Sequence, residues 1–174
     1  MTNDKEHTAT VFEKSRDTAN LSTMVNYSGT RVYMYPTVYI AGYGINAEQP
    51  EYRILFETRT AKKPGFTNVI FTIGKETHTF SSVQIKAKKD SGMYNGVLQL
   101  TIGKNGAEMM RSLCDAYEHG TKVSVTLQSS KQDDFTFELN SSKLEYLAHL
   151  FRAFEAAGGL SDQYLEQVTE NYVL

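Results

Sequence analysis

The side chains in this sequence best suited to proton transfer, metal ligation or nucleophilic attack are four histidines and a single cysteine. His78 falls in the segment Glu76-Thr-His-Thr-Phe80, and no motif ties a serine, cysteine or acid to it as a triad would require. It therefore reads as a hydrogen-bonded histidine at the edge of a core. Two further pairs, Asp115 with His119 and Glu145 with His149, are each four residues apart. That spacing puts both members on one face of a helix, where each pair would supply half of a metal site. Both histidines lie roughly 200° around the helix from an apolar residue two positions earlier, so the pairs are expected in solvent and no metal site is expected. There is no HExxH run and no Cys–His cluster. Cys114 falls on an apolar helical stripe, which predicts a buried, inert thiol. No phosphate loop or dinucleotide fingerprint occurs, no cofactor is expected, and no residue is assigned a catalytic role.

Tyrosine is the most distinctive component, with 11 in the chain. Tyr33, Tyr35, Tyr39 and Tyr43 crowd one short span. On a strand, Tyr33 and Tyr35 share one face and Val32 and Met34 the other, so the strand is covered on both sides or presents an aromatic strip for binding. Tyrosine suits the second role because it offers contact area and a polar tip at little entropic cost. Two basic clusters accompany it, Arg59 with Lys62 and Lys63, and Lys86 with Lys88 and Lys89. The leading expectation is a non-catalytic interaction or ligand-binding module that takes a protein or small ligand at the tyrosine-rich strand, with a homodimer as one form of it. One alternative is a hydrolase-like enzyme that uses His78 with a sequence-distant acid. The other is weak binding of nucleic acid or an acidic partner through the Lys/Arg clusters.

Bulk properties narrow these classes. The chain carries 18 Lys plus Arg against 20 Asp plus Glu, a net charge of -2. It lacks the basic excess of a typical nucleic-acid binder, so nucleic acid is not the expected partner. A length of 174 residues suits a single domain with a full core. A single cysteine and a polar beginning without an apolar signal segment favour a cytoplasmic setting, with a mature periplasmic or exported form as the alternative. No apolar run reaches the roughly 20 residues of a membrane span, so a soluble chain is expected.

The elements that must position these residues follow from periodicity. Residues 1–20 are polar and read as a tail or loosely attached segment, and 21–174 as one globular domain. Strands are expected at Arg31–Tyr35 and Thr37–Ala41, with Pro36 at an edge or break, and at Glu51–Arg59. Val69–Ile73 and Glu76–Phe80 flank Gly74-Lys75 as a hairpin with a type II′ turn, which sets Phe71 opposite His78. Val83, Ile85 and Ala87 alternate with Gln84, Lys86 and Lys88. Turns at Asp90-Ser-Gly92 and Asn95-Gly96 lead to a strand carrying Leu98, Leu100 and Ile102. Strands also fall at Lys122–Leu127 and around Phe135, Phe137 and Leu139.

Three helices are expected near 106–119, 142–157 and 162–172. Asn105 with Glu108, and Ser142 with Glu145, would form capping boxes, and Ser161 would cap the third helix. Gly120 supplies a left-handed stop. The apolar spacing of Leu98, Leu100, Ile102, Met110, Leu113, Cys114 and Tyr117 recurs in Phe135, Phe137, Leu139, Leu147, Leu150, Phe151 and Phe154, a strand–turn–helix unit used twice. The order from Val69 to Phe154, through Leu98-Gln-Leu, Met110-Arg-Ser-Leu113, Gly120-Thr-Lys-Val-Ser-Val125 and Phe137-Glu-Leu-Asn-Ser141, resembles the β-rich domain of the invasion-associated locus B family. That resemblance implies a β-rich fold and a periplasmic setting. The expected class is α+β, mostly β: an antiparallel β-sandwich or curved sheet with two to three helices in the C-terminal half.

Overall fold

The computed structural model describes residues 6–9, 30–41 and 50–174, without side chains at 6–9, 30, 39–41, 83 and 85–87. The elements run β1 (Glu6–Ala9), β2 (Thr30–Ala41), β3 (Glu51–Thr60), β4 (Phe66–Ile73), β5 (Glu76–Ser81), β6 (Val83–Asp90) and β7 (Met93–Thr101). They continue with α1 (Lys104–His119), β8 (Val123–Ser129), β9 (Phe135–Leu139), α2 (Ser141–Ala156), α3 (Asp162–Gln167) and β10 (Tyr172–Val173). The strands form two five-stranded sheets, ordered β1-β2-β3-β7-β6 and β10-β5-β4-β8-β9. Every pairing is antiparallel, and neither sheet closes into a barrel. The protein is α+β and mostly β, as its alternating strands predict. No helix among the described residues is long and apolar enough to cross a membrane.

Alternation explains which face each strand buries. In β3, Tyr52, Ile54, Phe56, Thr58 and Thr60 are buried while their odd-numbered neighbours are not. Val69, Phe71, Ile73, Phe80, Val123, Val125, Leu127, Phe135, Phe137 and Leu139 do the same in the second sheet. Both inner faces and both long helices contribute to one apolar cluster. Tyr52 meets Phe151 edge-on at 5.5 Å, and its hydroxyl donates to the Leu147 carbonyl at 3.1 Å, which fixes α2 on the first sheet. The Tyr164 hydroxyl on α3 donates to the Ile102 carbonyl at 2.6 Å. The repeated unit appears as β7–α1 and β9–α2, but β7 is an inner strand of the first sheet and β9 an edge of the second.

Several local expectations are corrected. Of the two roles expected of Pro36, it is the break that is not found, while the edge position is. Thr30–Ala41 is continuous, and Pro36 pairs with Ile54 at a point β1 does not reach, since β1 covers only Val38–Ala41. Asn95-Gly96 is strand rather than turn, because the connection is made by Ser91 and Gly92, both with positive φ, as a two-residue hairpin needs. The alternation drawn through β6 is interrupted by a bulge between Gln84 and Lys86, so Val83 pairs with Gln99 but Ala87 with Gly96. The Gly74 turn and the Phe71–His78 register are as expected, with positive φ at Gly74 and not at Lys75.

The helix starts also differ. The first is bounded by Gly103 without a side-chain cap of its own, and Asn105 lies inside it. The second is capped by Asn140, whose carbonyl oxygen accepts from the Lys143 amide at 3.0 Å, in place of Ser142. Ser161 caps the third as expected, accepting from Tyr164 N–H at 3.2 Å. That helix ends at Gln167, well short of residue 172, because the chain turns extended at Val168 to pair with β5.

Candidate functional site

The outer face of the first sheet is organised in rows set by strand register. Arg31 pairs with Arg59 across β2–β3, Arg59 with Asn95 across β3–β7, and Asn95 with Lys88 across β7–β6. The next row is Tyr33, Glu57 and Val97. Beyond it stand Tyr35, Leu55 and Gln99. Between the first two rows lies a depression of 330 Å³ whose lining includes Tyr33, Glu57, Arg59, Lys88, Asn95 and Val97. Its exposed surface is predominantly apolar, with cations on the side of the Arg59 row.

The fold thus brings together residues that the sequence offered as separate candidates. Tyr33 from the tyrosine cluster shares one depression with Arg59 and Lys88 from the two basic clusters. Tyr33 and Tyr35 are half-buried, opposite the buried Val32 and Met34. The Tyr35 hydroxyl donates to Glu57 Oε1 at 2.9 Å, which draws that carboxylate along the strand. Tyr39 pairs with Glu51 by backbone register, but its side chain, like the whole of Tyr43, lies outside the described residues. Lys62 and Lys63 are exposed in the loop after β3, and Lys89 stands over the Tyr94 ring at 5.4 Å from its centroid. Lys86 pairs with Val97, and its side chain is not described. The ends of β3 and β6 and the start of β2 meet at one end of the sheet, so Arg31, Arg59, Lys62, Lys63, Lys88 and Lys89 gather there.

Arg31, Asn95 and Val97 were not singled out by sequence reasoning. Parity along β2 would have placed Arg31 with Tyr33. Asn95 and Val97 were hidden because Asn95-Gly96 imitates a turn.

The other candidates fall elsewhere. His78 Nδ1 is 2.9 Å from the Tyr172 hydroxyl and Nε2 is 3.4 Å from Glu76 Oε2. Its sequence-distant partner is thus a phenol, and the acid beside it is local. His119 Nδ1 bonds the Asp115 backbone carbonyl at 2.8 Å rather than its carboxylate. His149 Nδ1 is 3.9 Å from Glu145 Oε1, and both of these histidines are exposed. No group of three metal-ligating side chains occurs among the described residues. Cys114 is buried, and burial pushes its thiol pKa up, opposed in part by nearby Arg152. A second depression, of 240 Å³, lies between the end of α1 and the β9–α2 corner, and its lining includes Lys122 and Glu138, paired at 3.3 Å.

One arrangement had no precursor in the sequence reading. The Glu170 carboxylate accepts from Gly103 N–H at 2.8 Å and Gly106 N–H at 3.0 Å through Oε2. Through Oε1 it accepts from the Asn105 amide N–H and side-chain Nδ2, both at 2.8 Å. It therefore satisfies the amino end of α1 from a distant part of the chain. Compared with protein-family models, with curated proteins and with solved structures, the chain matches none.

Proposed function

We propose that this chain is a non-catalytic binding module that holds a small ligand on the outer face of its first sheet, over Tyr33, Val97 and Asn95. The observation that carries this reading is the convergence of Tyr33, Arg59 and Lys88 on a single depression. Its 330 Å³ is at the small end of the range for organic ligands. Most of its exposed surface is carbon, which suits an apolar ligand body, and Glu57, Thr58, Arg59, Lys88 and Asn95 line it as well. A small ligand is favoured over a protein strand because the volume of the depression matches a small molecule.

The test uses N-phenyl-1-naphthylamine, a neutral probe whose fluorescence rises in apolar surroundings. The chain contains no tryptophan to interfere. One saturable site is expected, and the double substitution Tyr33→Ala/Val97→Gln should weaken it by about tenfold, since a buried aliphatic side chain contributes roughly 1.5 kcal/mol or more. Circular dichroism would confirm that the variant remains folded. A probe that does not bind, or binds the folded variant equally well, refutes the reading. Concentration-dependent dimerisation abolished by the same variant would replace it with a self-association surface.

A further inference from the structure

We infer that the ligand of this depression is a small amphipathic anion, with its acidic head at Arg59 and Lys88, next to Arg31, and its apolar body over Tyr33 and Val97. The inference rests on the binding reading above and assigns the class of ligand. Three observations support it.

The first is a cationic row without a counter-charge among the described residues. Arg31 and Arg59 stand directly opposite one another across β2–β3, an arrangement that disfavours the sheet because like charges face each other. Among the described residues no carboxylate lies within ion-pair reach of Arg31, Arg59 or Lys88. Glu57, the acidic group nearest in register, accepts the Tyr35 hydroxyl instead. A bound anion would supply a counter-charge to this row.

The second is spacing. Strands lie roughly 4.8 Å apart, so Arg59 and Lys88, which flank Asn95 from either side, have backbones about 10 Å apart. Their long side chains can converge on one anionic head over Asn95, whose amide adds a neutral donor. The third is the apolar lining beside this row. Charge interactions strengthen next to such a surface because water is partly displaced, and a simple inorganic ion would leave the hollow unfilled. A nucleic-acid strand is disfavoured because its affinity needs a track of cations along successive phosphates. Here the cations collect at one end of the sheet.

The experiment compares two probes on the full chain, 8-anilinonaphthalene-1-sulfonate and N-phenyl-1-naphthylamine, which share a ring system and differ by the sulfonate. At low salt the sulfonate is expected to bind about tenfold more tightly than the neutral probe. This advantage should shrink as salt rises past about 0.1 M, where the screening length falls to about 10 Å. The double variant Arg59→Gln/Lys88→Gln should weaken the sulfonate roughly fivefold to tenfold more than it weakens the neutral probe. Equal affinities for the two probes, or a double variant that binds the sulfonate as wild type does, overturns the inference while the depression remains a site. Failure of both probes removes the binding reading as well. Displacement of the sulfonate by a stoichiometric amount of a twenty-nucleotide thymidine strand would overturn the small-ligand assignment in favour of nucleic acid.

Discussion

Replacing Glu170 by alanine would remove the only side-chain acceptor at the amino end of α1 among the described residues. Its two carboxylate oxygens accept four hydrogen bonds between 2.8 and 3.0 Å, three from backbone N–H groups of Gly103, Asn105 and Gly106. Loss of a helix cap costs about 0.5–2 kcal/mol, and loss of a negative charge at a helix amino end about 0.3–1 kcal/mol. The site is half-buried, so water can recover part of this. The C-terminal segment adds to the effect. Glu170 is followed by the Ser81 N–H to Asn171 carbonyl bond at 2.8 Å and by Tyr172, edge-on to Phe80 at 5.1 Å. The expected total is about 2–3 kcal/mol, read as a melting temperature lower by roughly 5–10 °C for a chain of this size.

Glu170→Gln separates charge from shape. The amide retains one acceptor oxygen and turns an N–H₂ toward backbone donors, so about half the loss is expected. Hydrogen exchange should rise at Gly103, Asn105 and Gly106 and also at Ser81, which shares the segment. Gly103→Ala provides a coupling test, because a Cβ there would stand 3.0 Å from the Glu170 carboxylate. Its cost should fall when Glu170 is already alanine. An alanine variant that loses less than about 0.5 kcal/mol, with Asn105 exchange unchanged, would show that α1 does not depend on this carboxylate.

Burial pushes the phenols of Tyr52 and Tyr164 well above their ordinary range. Unfolded tyrosines ionise near pH 10, so above that pH the unfolded chain sheds protons that the native state retains. Their contribution to stability should be constant below about pH 10 and then fall by up to about 1.4 kcal/mol per pH unit for each phenol. Denaturant titrations of Tyr52→Phe/Tyr164→Phe should show a shallower alkaline decline, and an unchanged slope would contradict this origin. Cys114, buried with a raised pKa, should resist a thiol-exchange reagent in the native protein and react fully after unfolding. Rapid stoichiometric native labelling would contradict its placement. Gly159→Ala should cost about 1–3 kcal/mol, because the added Cβ would sit 2.5 Å from the Phe154 ring. An unshifted melting curve would mean that the ring moves freely.

The legibility of this fold in its sequence divides along a physical line. Strands and helices whose apolar period meets one core were readable, as at Tyr52–Thr60, the Phe71–His78 hairpin and the Met110–Cys114 stripe. Features decided by distant parts of the chain were not. Asn105 and Ser142 each look like a cap, but Glu170 and Asn140 do the capping, because cap choice depends on which acceptor the tertiary fold brings to the helix. The third helix stops early because its continuation gains more by pairing with β5. For the candidate site, sequence supplied Tyr33, Arg59 and Lys88 but not their proximity. A single bulge in β6 shifts the register that pairs Lys88 with Asn95, and no composition or period announces a bulge.

The same register yields a test that sets stability against binding. If Arg31 and Arg59 repel across β2–β3, then Arg31→Glu replaces an unfavourable pair with a favourable one at an identical position. Cross-strand pairs of this kind differ by a few tenths to about 1 kcal/mol, and both residues are exposed, so a gain of about 0.5 kcal/mol is expected. That corresponds to a melting temperature higher by roughly 1–2 °C. The anionic probe should lose affinity in the same variant, since one cation becomes a carboxylate and a second is drawn into an ion pair. A stabilised protein that binds the sulfonate less well would mean that the cationic row costs the sheet stability and is used by a ligand. A variant that is destabilised while binding is retained would break both halves of the argument, because neither the repulsion nor the anion site would then reside in this row.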